Sequence, residues 1–496
     1  MDNQSIIVIG GGLGGLSAAI SLKQYGYKVT VIEKNTHLGG KLNRLEQDGF
    51  GFDLGPSLLT MPKIFARLFE KSGLSINDYI DITELPLQWR TFFTDGDVID
   101  LYGDLNVMKQ ENPKLTQKDF AELENFYLYA KKLDAITETG YFNQGLDNLT
   151  DIIKFHGPLT ALRSFNISAT MQQAVDKRIS HPHLRDLFGY FVKYVGSSAK
   201  HAPAILNMMA YMQKQQGVWY VKGGLHKLAE AIEKLARDIG VVFITGTEVK
   251  TAITDNGTVN HLILDDGSTV EADIYVSNME VIPFYTKVLD TLPKNIQKMK
   301  KKFPPASSGL VIHLGVNKSY PELRHHNFFF SADSEKNYNI VFDKKQLPED
   351  PTIYLVNPNK TDASQAPAGH ENLKILPHIP ALNNIEYTKE DYTAFRELVL
   401  KKLEDMGLKD LRKHIVTEYM LTPHDIESMY LSDSGAIYGT LSDKKLNQGF
   451  KHPKKSDFIS NLYFVGGTVN PGGGMPMVTL SGQNAADLIA AEDSKI

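Results

Sequence analysis

The sequence contains no cysteine among its 496 residues. This absence excludes a disulfide framework, a thiolate zinc site, an iron–sulfur cluster and a catalytic cysteine. The chain also lacks an apolar run near the ~20 residues that span a bilayer, and its first residues lack the positive charge of a signal peptide. We therefore expect a cytoplasmic protein whose contact with membranes is peripheral.

The sequence has no large excess of positive or negative charge, because 53 basic and 58 acidic side chains give a net charge of −5. This balance argues against a nucleic-acid partner, which requires a basic surface. Apolar residues make up 42% of the chain and charged residues 22%, which is typical of a globular protein with a hydrophobic core. The length predicts two or three domains, or one large discontinuous unit.

The strongest motif is a dinucleotide-binding fingerprint at the N-terminus. The apolar run 6–9 predicts a buried strand, and Gly10, Gly12 and Gly15 follow it at the start of a predicted helix. In this motif the glycines permit a tight turn, close approach of a pyrophosphate and close helix–strand contact. Glu33 ends the next predicted strand, where a carboxylate can accept hydrogen bonds from ribose hydroxyls. The motif predicts FAD or NAD rather than NADP.

Two further glycine-rich regions favour a flavin over a nicotinamide. Residues 39–41 and 51–57 contain glycines that would let the backbone run against a flat ring system, although surface turns have similar composition. Lys41 could add positive charge near the pyrophosphate. Near the C-terminus, residues 466–474 are rich in glycine, and Pro476 predicts the start of a helix directed at an electron-rich group such as a reduced flavin.

These motifs, with residues 181–196 and 217–224, resemble the FAD-dependent carotenoid desaturases and oxidases of the phytoene desaturase family. The resemblance runs nearly end to end. It implies an α/β fold with a discontinuous, glutathione-reductase-like FAD-binding Rossmann domain, a mixed-sheet substrate domain and a helical membrane-facing portion. The implied FAD-binding domain comprises 1–85, 217–302 and 455–496, the substrate domain 86–104 and 303–454, and the helical portion 105–216.

The resemblance also implies a set of FAD contacts. They are Gly10, Gly11, Gly12, Leu13, Gly14, Gly15, Glu33, Lys34, Gly40, Lys41, Gly55, Pro56, Ser57, Val249, Gly466, Gly467, Met475, Pro476, Met477 and Val478. Many flavoproteins of this fold carry an acid where this chain has Gly467, so a carboxylate contact to the ribityl chain is not expected there.

Within the family, residues 53–62, 325–330 and 475–483 are most similar to members that oxidise a terminal methyl group of a C30 carotenoid, such as 4,4'-diaponeurosporene or diapolycopene, to an aldehyde. The implied partners are a long polyene, a membrane surface, and O2 or a quinone as electron acceptor. A carotenoid desaturase of the same family remains an alternative. A non-catalytic lipid-binding protein of the GDP-dissociation-inhibitor type is an alternative of another class.

The sequence does not identify a catalytic residue or a metal site. The histidine pairs 181/183 and 325/326 lack a completing carboxylate at motif spacing. Arg185 could polarise flavin or oxygen, or form a salt bridge, and His378 is similarly ambiguous. Five lysines between 294 and 302 could bind anionic lipid headgroups, or form a solvated helix face.

Overall fold

The structure is a computed structural model that describes residues 4–158 and 168–494. Its strands, in chain order, are β1 (Ser5–Ile9), β2 (Lys28–Glu33), β3 (Arg44–Gln47), β4 (Phe50–Asp53), β5 (Ile82–Glu84), β6 (Leu87–Phe92), β7 (Val98–Tyr102), β8 (Trp219–Val221), β9 (Val242–Thr245), β10 (Val249–Asp255), β11 (Thr258–Leu264), β12 (Thr269–Val270), β13 (Ile274–Ser277), β14 (Ser308–Gly309), β15 (Val311–Val316), β16 (His326–Phe329), β17 (Ile353–Val356), β18 (Glu371–Ile379), β19 (Ile415–Leu421) and β20 (Leu462–Phe464).

The α-helices are joined by short 3-10 and π segments. They are α1 (Leu13–Gln24), α2 (Pro62–Glu70), α3 (Leu105–Glu111), α4 (Gln117–Ile136), α5 (Leu149–His156), α6 (Met171–Asp176), α7 (Pro182–Gly189), α8 (Met208–Gln216), α9 (His226–Asp238), α10 (Val281–Pro283), α11 (Ile296–Lys302), α12 (Ser334–Tyr338), α13 (Lys389–Asp405), α14 (Pro423–Tyr430) and α15 (Met475–Asp493). None of the described helices combines the length and apolar character needed to cross a bilayer.

A five-stranded parallel sheet carries the N-terminal motif, in the order β20-β13-β1-β2-β9. Its central strand β1 is buried on both faces: Ile6 and Val8 belong to one apolar core, and Ile7 and Ile9 to another. A parallel sheet that is covered on both faces requires such a continuous apolar run. The fold class is therefore α/β with a Rossmann-type sheet, as the sequence predicts.

A larger mixed sheet forms the second main part of the fold. Its strand order is β19-β15-β18-β17-β16-β6-β7, and β14 is also paired to β18. One of its faces packs against α13 through Tyr392, Phe395 and Val399. The opposite face carries Tyr354 and Leu376, and it meets the helices between residues 105 and 216. The side chains of this second face form one wall of the cavity described below.

The three stretches that supply the parallel sheet fall within the ranges 1–85, 217–302 and 455–496, although they are far apart in the chain. The large mixed sheet takes its strands from 86–104 and 303–454. The segment 105–216 is mainly helical where it is described, and residues 159–167 of this range lie outside the described residues. The boundaries between these ranges stay a prediction.

Helices α1 and α15 pack closely, which places their N-termini side by side at one end of the parallel sheet. The contact depends on small residues: a Cβ atom at Gly482 would lie 2.5 Å from the Gly14 carbonyl oxygen and 2.6 Å from the Ala18 nitrogen. The Ser17 hydroxyl reinforces it by donating to the Thr479 carbonyl at 2.6 Å. Both neighbours of the absent Cβ are backbone atoms, so they cannot move aside as a flexible side chain can.

We expect Gly482→Ala to separate these helices and to lower the free energy of unfolding by about 1–3 kcal/mol, as overpacking typically does. Ala491→Ser, which also adds one heavy atom but on the exposed side of α15, should change it by less than about 0.5 kcal/mol. Thermal unfolding of the three proteins measures the difference. Equal midpoints for the two variants would show that the helix contact tolerates a methyl group.

Candidate active site

A crevice of about 330 Å³ opens where the strands of the parallel sheet end. The carboxyl ends of β1, β2, β13 and β20 all border it, which is where α/β sheets bind their ligands. Most of the residues predicted from the sequence line this crevice. They are Gly10, Gly12, Leu13, Gly14, Glu33, Lys34, Gly40, Lys41, Gly55, Pro56, Val249, Gly466, Gly467, Met475 and Val478.

The glycines of the fingerprint hold backbone segments together at the floor of the crevice. A Cβ at Gly12 would lie 2.6 Å from the Asn278 Nδ2 atom, and a Cβ at Gly14 would lie 3.0 Å from the Gly466 nitrogen. Gly15 does not line the crevice, but a Cβ there would collide with the carbonyl oxygen of Gly10. Side chains at these positions would fill the space that the backbone needs to approach a pyrophosphate, so the cradle fits a dinucleotide.

Glu33 is fixed at the rim of this cradle, with 6% of its surface exposed. Its Oε2 atom accepts a hydrogen bond from the Gly11 N–H at 2.7 Å, and its Oε1 atom accepts one from the Asn35 N–H at 2.9 Å. Gly11 thus contributes to the site through Glu33. These bonds stabilise the carboxylate at the end of β2, in the position where the fingerprint places the ribose.

A partly buried ion pair lies farther along the crevice. Lys41 Nζ is 3.9 Å from Glu280 Oε1, and it also donates to the Ala436 carbonyl at 3.2 Å. Burial raises the pKa of Glu280 to about 7, although Lys41 and the Asp433 N–H, which donates to the carboxylate at 2.8 Å, act in the opposite direction. Burial likewise lowers the pKa of Lys41. The chain thus supplies a carboxyl group to the crevice from Glu280, in the absence of an acid at Gly467.

A second cavity, of about 410 Å³, lies between the mixed sheet and the helices. We call it the substrate cavity. Its lining is mainly apolar, with Ile152 from α5, Met209 and Met212 from α8, and Val356 from β17. Gln448 belongs to the lining and is also exposed on the surface, so the cavity opens to solvent beside residues 444–450.

The crevice and the substrate cavity share a wall. The residues that line both are Gly55, Pro56, Lys374, Leu376, Tyr438, Gly473, Gly474 and Met475. Lys374 and Leu376 are alternate residues of β18 and therefore point to the same face of the sheet. On the neighbouring strand, Val356 and Tyr354 are their register partners. A flat ring at the end of the crevice and a ligand in the substrate cavity would thus meet over β18.

Lys374 is held at this shared wall by backbone carbonyls. Its Nζ atom donates to the carbonyl of Asp53 at 3.1 Å and to that of Gly55. Burial lowers the pKa of Lys374 to about 8, and the nearby Asp53 carboxylate opposes this shift. The hydrogen bonds tie β18 to the glycine-rich segment 51–57, which explains why that segment borders both cavities.

Three of the predicted FAD contacts, Ser57, Pro476 and Met477, line the substrate cavity and not the crevice. They follow residues that line both, so they lie just beyond the shared wall. Asn278, Glu280, Lys374 and Tyr438 line the crevice but were not identified from the sequence. None of them belongs to a motif with fixed spacing, and only the presence of Asn278 directly after a buried strand was a usable indication.

The polar residues singled out as ambiguous lie outside the crevice. Arg185 does not line either cavity: its Nε atom donates to the Ile179 carbonyl at 2.6 Å, and its role is structural. His378 is partly buried, and its Nδ1 atom lies 3.1 Å from the Tyr190 hydroxyl. His326 is buried against the Tyr354 hydroxyl, 2.8 Å from its Nδ1 atom.

His183 has no carboxylate at motif spacing in the sequence, but the fold brings two carboxylates to it. Its Nε2 atom lies 2.8 Å from Asp95 and 3.8 Å from Asp97, which belong to the turn between β6 and β7. The fold creates this proximity between residues 86 or more positions apart, so motif spacing could not show it. The cluster is on the surface, and the ring of His183 stacks on Phe93.

Comparison with known proteins gives consistent results. Residues 13–490 match the family of flavin-containing amine oxidoreductases. The chain is 57% identical over 490 residues to the 4,4'-diaponeurosporene oxygenase of Staphylococcus aureus strain Mu50, covering 99% of both chains. It resembles in fold an oxidoreductase from Methanosarcina mazei (TM-score 0.65, 17% identity, covering 97% of this chain and 100% of that one) and a putrescine oxidase with putrescine bound (TM-score 0.65, 15% identity, covering 98% and 99%).

We expect Glu33→Ala to weaken FAD binding, because the variant removes the carboxylate and frees the Gly11 N–H. Loss of hydrogen bonds to a buried charged group costs about 1.5–3 kcal/mol, which corresponds to roughly a 10- to 100-fold higher dissociation constant. Titration of apoprotein with FAD, followed by flavin fluorescence, measures the change. Glu271→Ala, at an exposed position remote from the crevice, is the control and should bind FAD normally. Normal FAD binding by both variants would show that Glu33 does not contribute to the FAD site.

Proposed function

The chain belongs to the family of flavin-containing amine oxidoreductases, and we propose that it is an FAD-dependent enzyme that oxidises the terminal methyl group of a C30 carotenoid to an aldehyde. The substrate class is that of 4,4'-diaponeurosporene or diapolycopene. The observation that carries the proposal is the meeting of a dinucleotide crevice with a mainly apolar cavity over β18.

The crevice provides the contacts that FAD requires along its length. In this assignment Glu33 would bind the ribose of the adenosine half, and the N-terminal backbone of α1 would bind the pyrophosphate with the positive end of its helix dipole. The residues of the shared wall would hold the ring system, and the N-terminus of α15 would stabilise negative charge there. When bound there, FAD supplies two-electron redox chemistry and a route to O2.

The lining of the substrate cavity distinguishes a polyene from an amine. The cavity contains four lysines, Lys193, Lys374, Lys444 and Lys451, and its described lining includes no aspartate or glutamate. An ammonium substrate would therefore have no carboxylate partner there. A neutral polyene needs neither, since it binds through apolar contact.

Methyl oxidation with O2 is balanced without a further reductant, because R–CH3 + O2 gives R–CHO + H2O. If a quinone is the acceptor instead, the oxygen atom must come from water and two quinones must be reduced. The two cases differ in the origin of the aldehyde oxygen. We favour O2, since the curated relative is named an oxygenase.

We further propose that the protein takes its substrate from an anionic membrane surface. Apolar side chains are exposed beside the opening of the cavity: Ile153 and Phe155 on α5 are 37% and 45% exposed, and Leu446 in the loop 443–450 is 46% exposed. Lys445 lies next to Leu446, and basic groups near a surface add about 1 kcal/mol each to binding of anionic lipid. Such a surface would let a polyene pass from the bilayer into the cavity without crossing water.

The lysine segment 294–302 lies close to the same opening. Four of its five lysines belong to α11, together with Ile296 and Met299. The carbonyl of Lys302 accepts a hydrogen bond from the Asn447 side chain at 3.3 Å. Asn447 belongs to the loop that carries Leu446. The lysines therefore add positive charge beside Lys445 at the opening of the cavity. This position favours a role in headgroup binding over that of a purely solvated helix face.

The first test is a product assay. Purified FAD-loaded protein is incubated with 4,4'-diaponeurosporene under ¹⁸O2 in liposomes, and the products are identified by mass spectrometry. We expect an aldehyde that carries one ¹⁸O atom. An aldehyde without ¹⁸O would indicate that its oxygen atom came from water, and would assign the reaction to a quinone-type acceptor. Products with additional double bonds and no oxygen would instead identify a desaturase, and would contradict the proposed reaction.

The second test addresses the membrane surface. Replacement of Ile153 and Phe155 together by serine should reduce binding to anionic vesicles about tenfold or more, since burial of two large apolar side chains contributes several kcal/mol. Val242→Ser, at a position 56% exposed on the edge strand β9, is the matched control and should bind vesicles as the unaltered protein does. Vesicle sedimentation measures all three. Undiminished vesicle binding by the double variant would show that this face does not contact the membrane.

A further inference from the structure

Lys193 is a buried lysine in the lining of the substrate cavity for which polyene binding alone gives no reason. It belongs to the 3-10 segment Tyr190–Val195, and 6% of its surface is exposed. Its side chain points to the second face of the mixed sheet, among residues of β6, β16 and β17. It differs in its surroundings from the other lysines of the cavity.

The Lys193 amine contacts aromatic rings and no oxygen atom. Nζ lies 3.9 Å from the ring centre of Phe328, 4.4 Å from those of Trp89 and Tyr354, and 4.9 Å from that of Tyr194. Within the described parts of the chain, no carbonyl, hydroxyl or carboxylate oxygen accepts a hydrogen bond from it.

The other three lysines of the cavity do have such partners. Lys374 donates to backbone carbonyls, Lys451 donates to the Ser442 hydroxyl at 2.8 Å, and Lys444 donates to the Ser168 carbonyl at 2.6 Å. Their N–H groups are therefore explained by the protein itself. The N–H groups of Lys193 are available to a ligand.

A buried amine without an oxygen partner is costly. Transfer of a polar group from water to apolar surroundings without a hydrogen bond is unfavourable, and contact with aromatic faces offsets only part of this cost. Burial holds the pKa of Lys193 well below its usual value, and the amine offers N–H donors in either protonation state. Methionine would fill the same space at no such cost if the ligand were wholly apolar.

The position of Lys193 brings it close to the reacting end of the ligand. Tyr354, one of its ring contacts, is the register partner of Leu376, which lines both cavities. Tyr438 also lines both, and its ring lies 5.9 Å from that of His378 on the same strand as Leu376. The amine therefore lies near the shared wall.

We propose that Lys193 donates a hydrogen bond to the oxygen atom at the oxidised end of the polyene, first to the hydroxyl group of an alcohol and then to the carbonyl of the aldehyde. This inference rests on the proposed function. It makes Lys193 a residue that retains the half-oxidised ligand at the flavin.

Retention of the alcohol has a chemical reason. Insertion of one oxygen atom, R–CH3 + O2 + 2e⁻ + 2H⁺ giving R–CH2OH + H2O, consumes two electrons. Oxidation of the alcohol, R–CH2OH giving R–CHO + 2e⁻ + 2H⁺, returns them. The two steps balance only when every alcohol is oxidised further, so an alcohol that escapes leaves the enzyme short of two electrons.

The test compares binding of the hydrocarbon with binding of the corresponding terminal aldehyde. Both ligands are titrated without oxygen into FAD-loaded protein, and quenching of tryptophan fluorescence is measured, since Trp89 adjoins Lys193. We expect the unaltered protein to bind the aldehyde about five- to tenfold more tightly, the range of one net hydrogen bond. Lys193→Met should abolish this preference without weakening hydrocarbon binding, and Lys193→Gln, which keeps an N–H donor, should retain most of it.

Lys214→Met is the matched control. Lys214 also lies over an aromatic ring, that of Tyr127 at 5.6 Å, but does not line the cavity, so this variant should keep the full preference. In air, Lys193→Met should release alcohol as a product alongside aldehyde. Flavin absorbance and thermal unfolding verify that each variant is folded. If Lys193→Met does not fold, the comparison of Lys193→Gln with Lys193→Leu tests the same loss of the N–H donor.

Absence of a preference in the unaltered protein, or an equal preference in Lys193→Met, would overturn the inference. This outcome is independent of the proposed reaction, because the titrations need no turnover. If the protein binds the aldehyde preferentially through Lys193 but forms no aldehyde in air, the inferred binding site stands. Only the proposed function is then contradicted.

Discussion

The proposed chemistry depends on one strand, β18, which forms part of the wall of two cavities at once. Lys374 and Leu376 reach both the dinucleotide crevice and the substrate cavity from the same face of that strand. The lysine also ties the strand to the backbone of Asp53 and Gly55, and thereby to the N-terminal half of the crevice. Two sheets that are separate in topology are thus held in a fixed relation, and a cofactor bound by one can reach a ligand bound by the other.

The charge distribution of the cavity adds chemical selectivity to this geometry. The charged residue type in its described lining is lysine, and that lining has no carboxylate. A cavity of this kind disfavours cationic ligands and tolerates a neutral chain with an oxygen atom at its inner end. The same flavin fold in amine oxidases must bind a different class of ligand, so the selectivity resides in the side chains that the fold presents and not in the fold.

The nucleotide half of the molecule could be predicted from the sequence because its requirements are local. Strand β1, helix α1 and Glu33 follow one another within 30 residues, and the geometry of the phosphate cradle forces glycine at fixed positions. The substrate half could not be predicted in this way. Lys374, Tyr438 and Glu280 are single residues in ordinary strands and loops, and they become neighbours only when distant strands pair. Strands β10, β18 and β19 were not recognised either, since their register is set by partners far along the chain.

The most direct test of this account is a crystal structure of the protein with FAD and a C30 carotenoid bound. The account predicts the isoalloxazine ring between Pro56 and Tyr438, with the end of the polyene in van der Waals contact with it over Leu376. A polyene bound outside the substrate cavity, or a flavin ring separated from it by protein, would contradict the central claim that the two cavities form one reaction site.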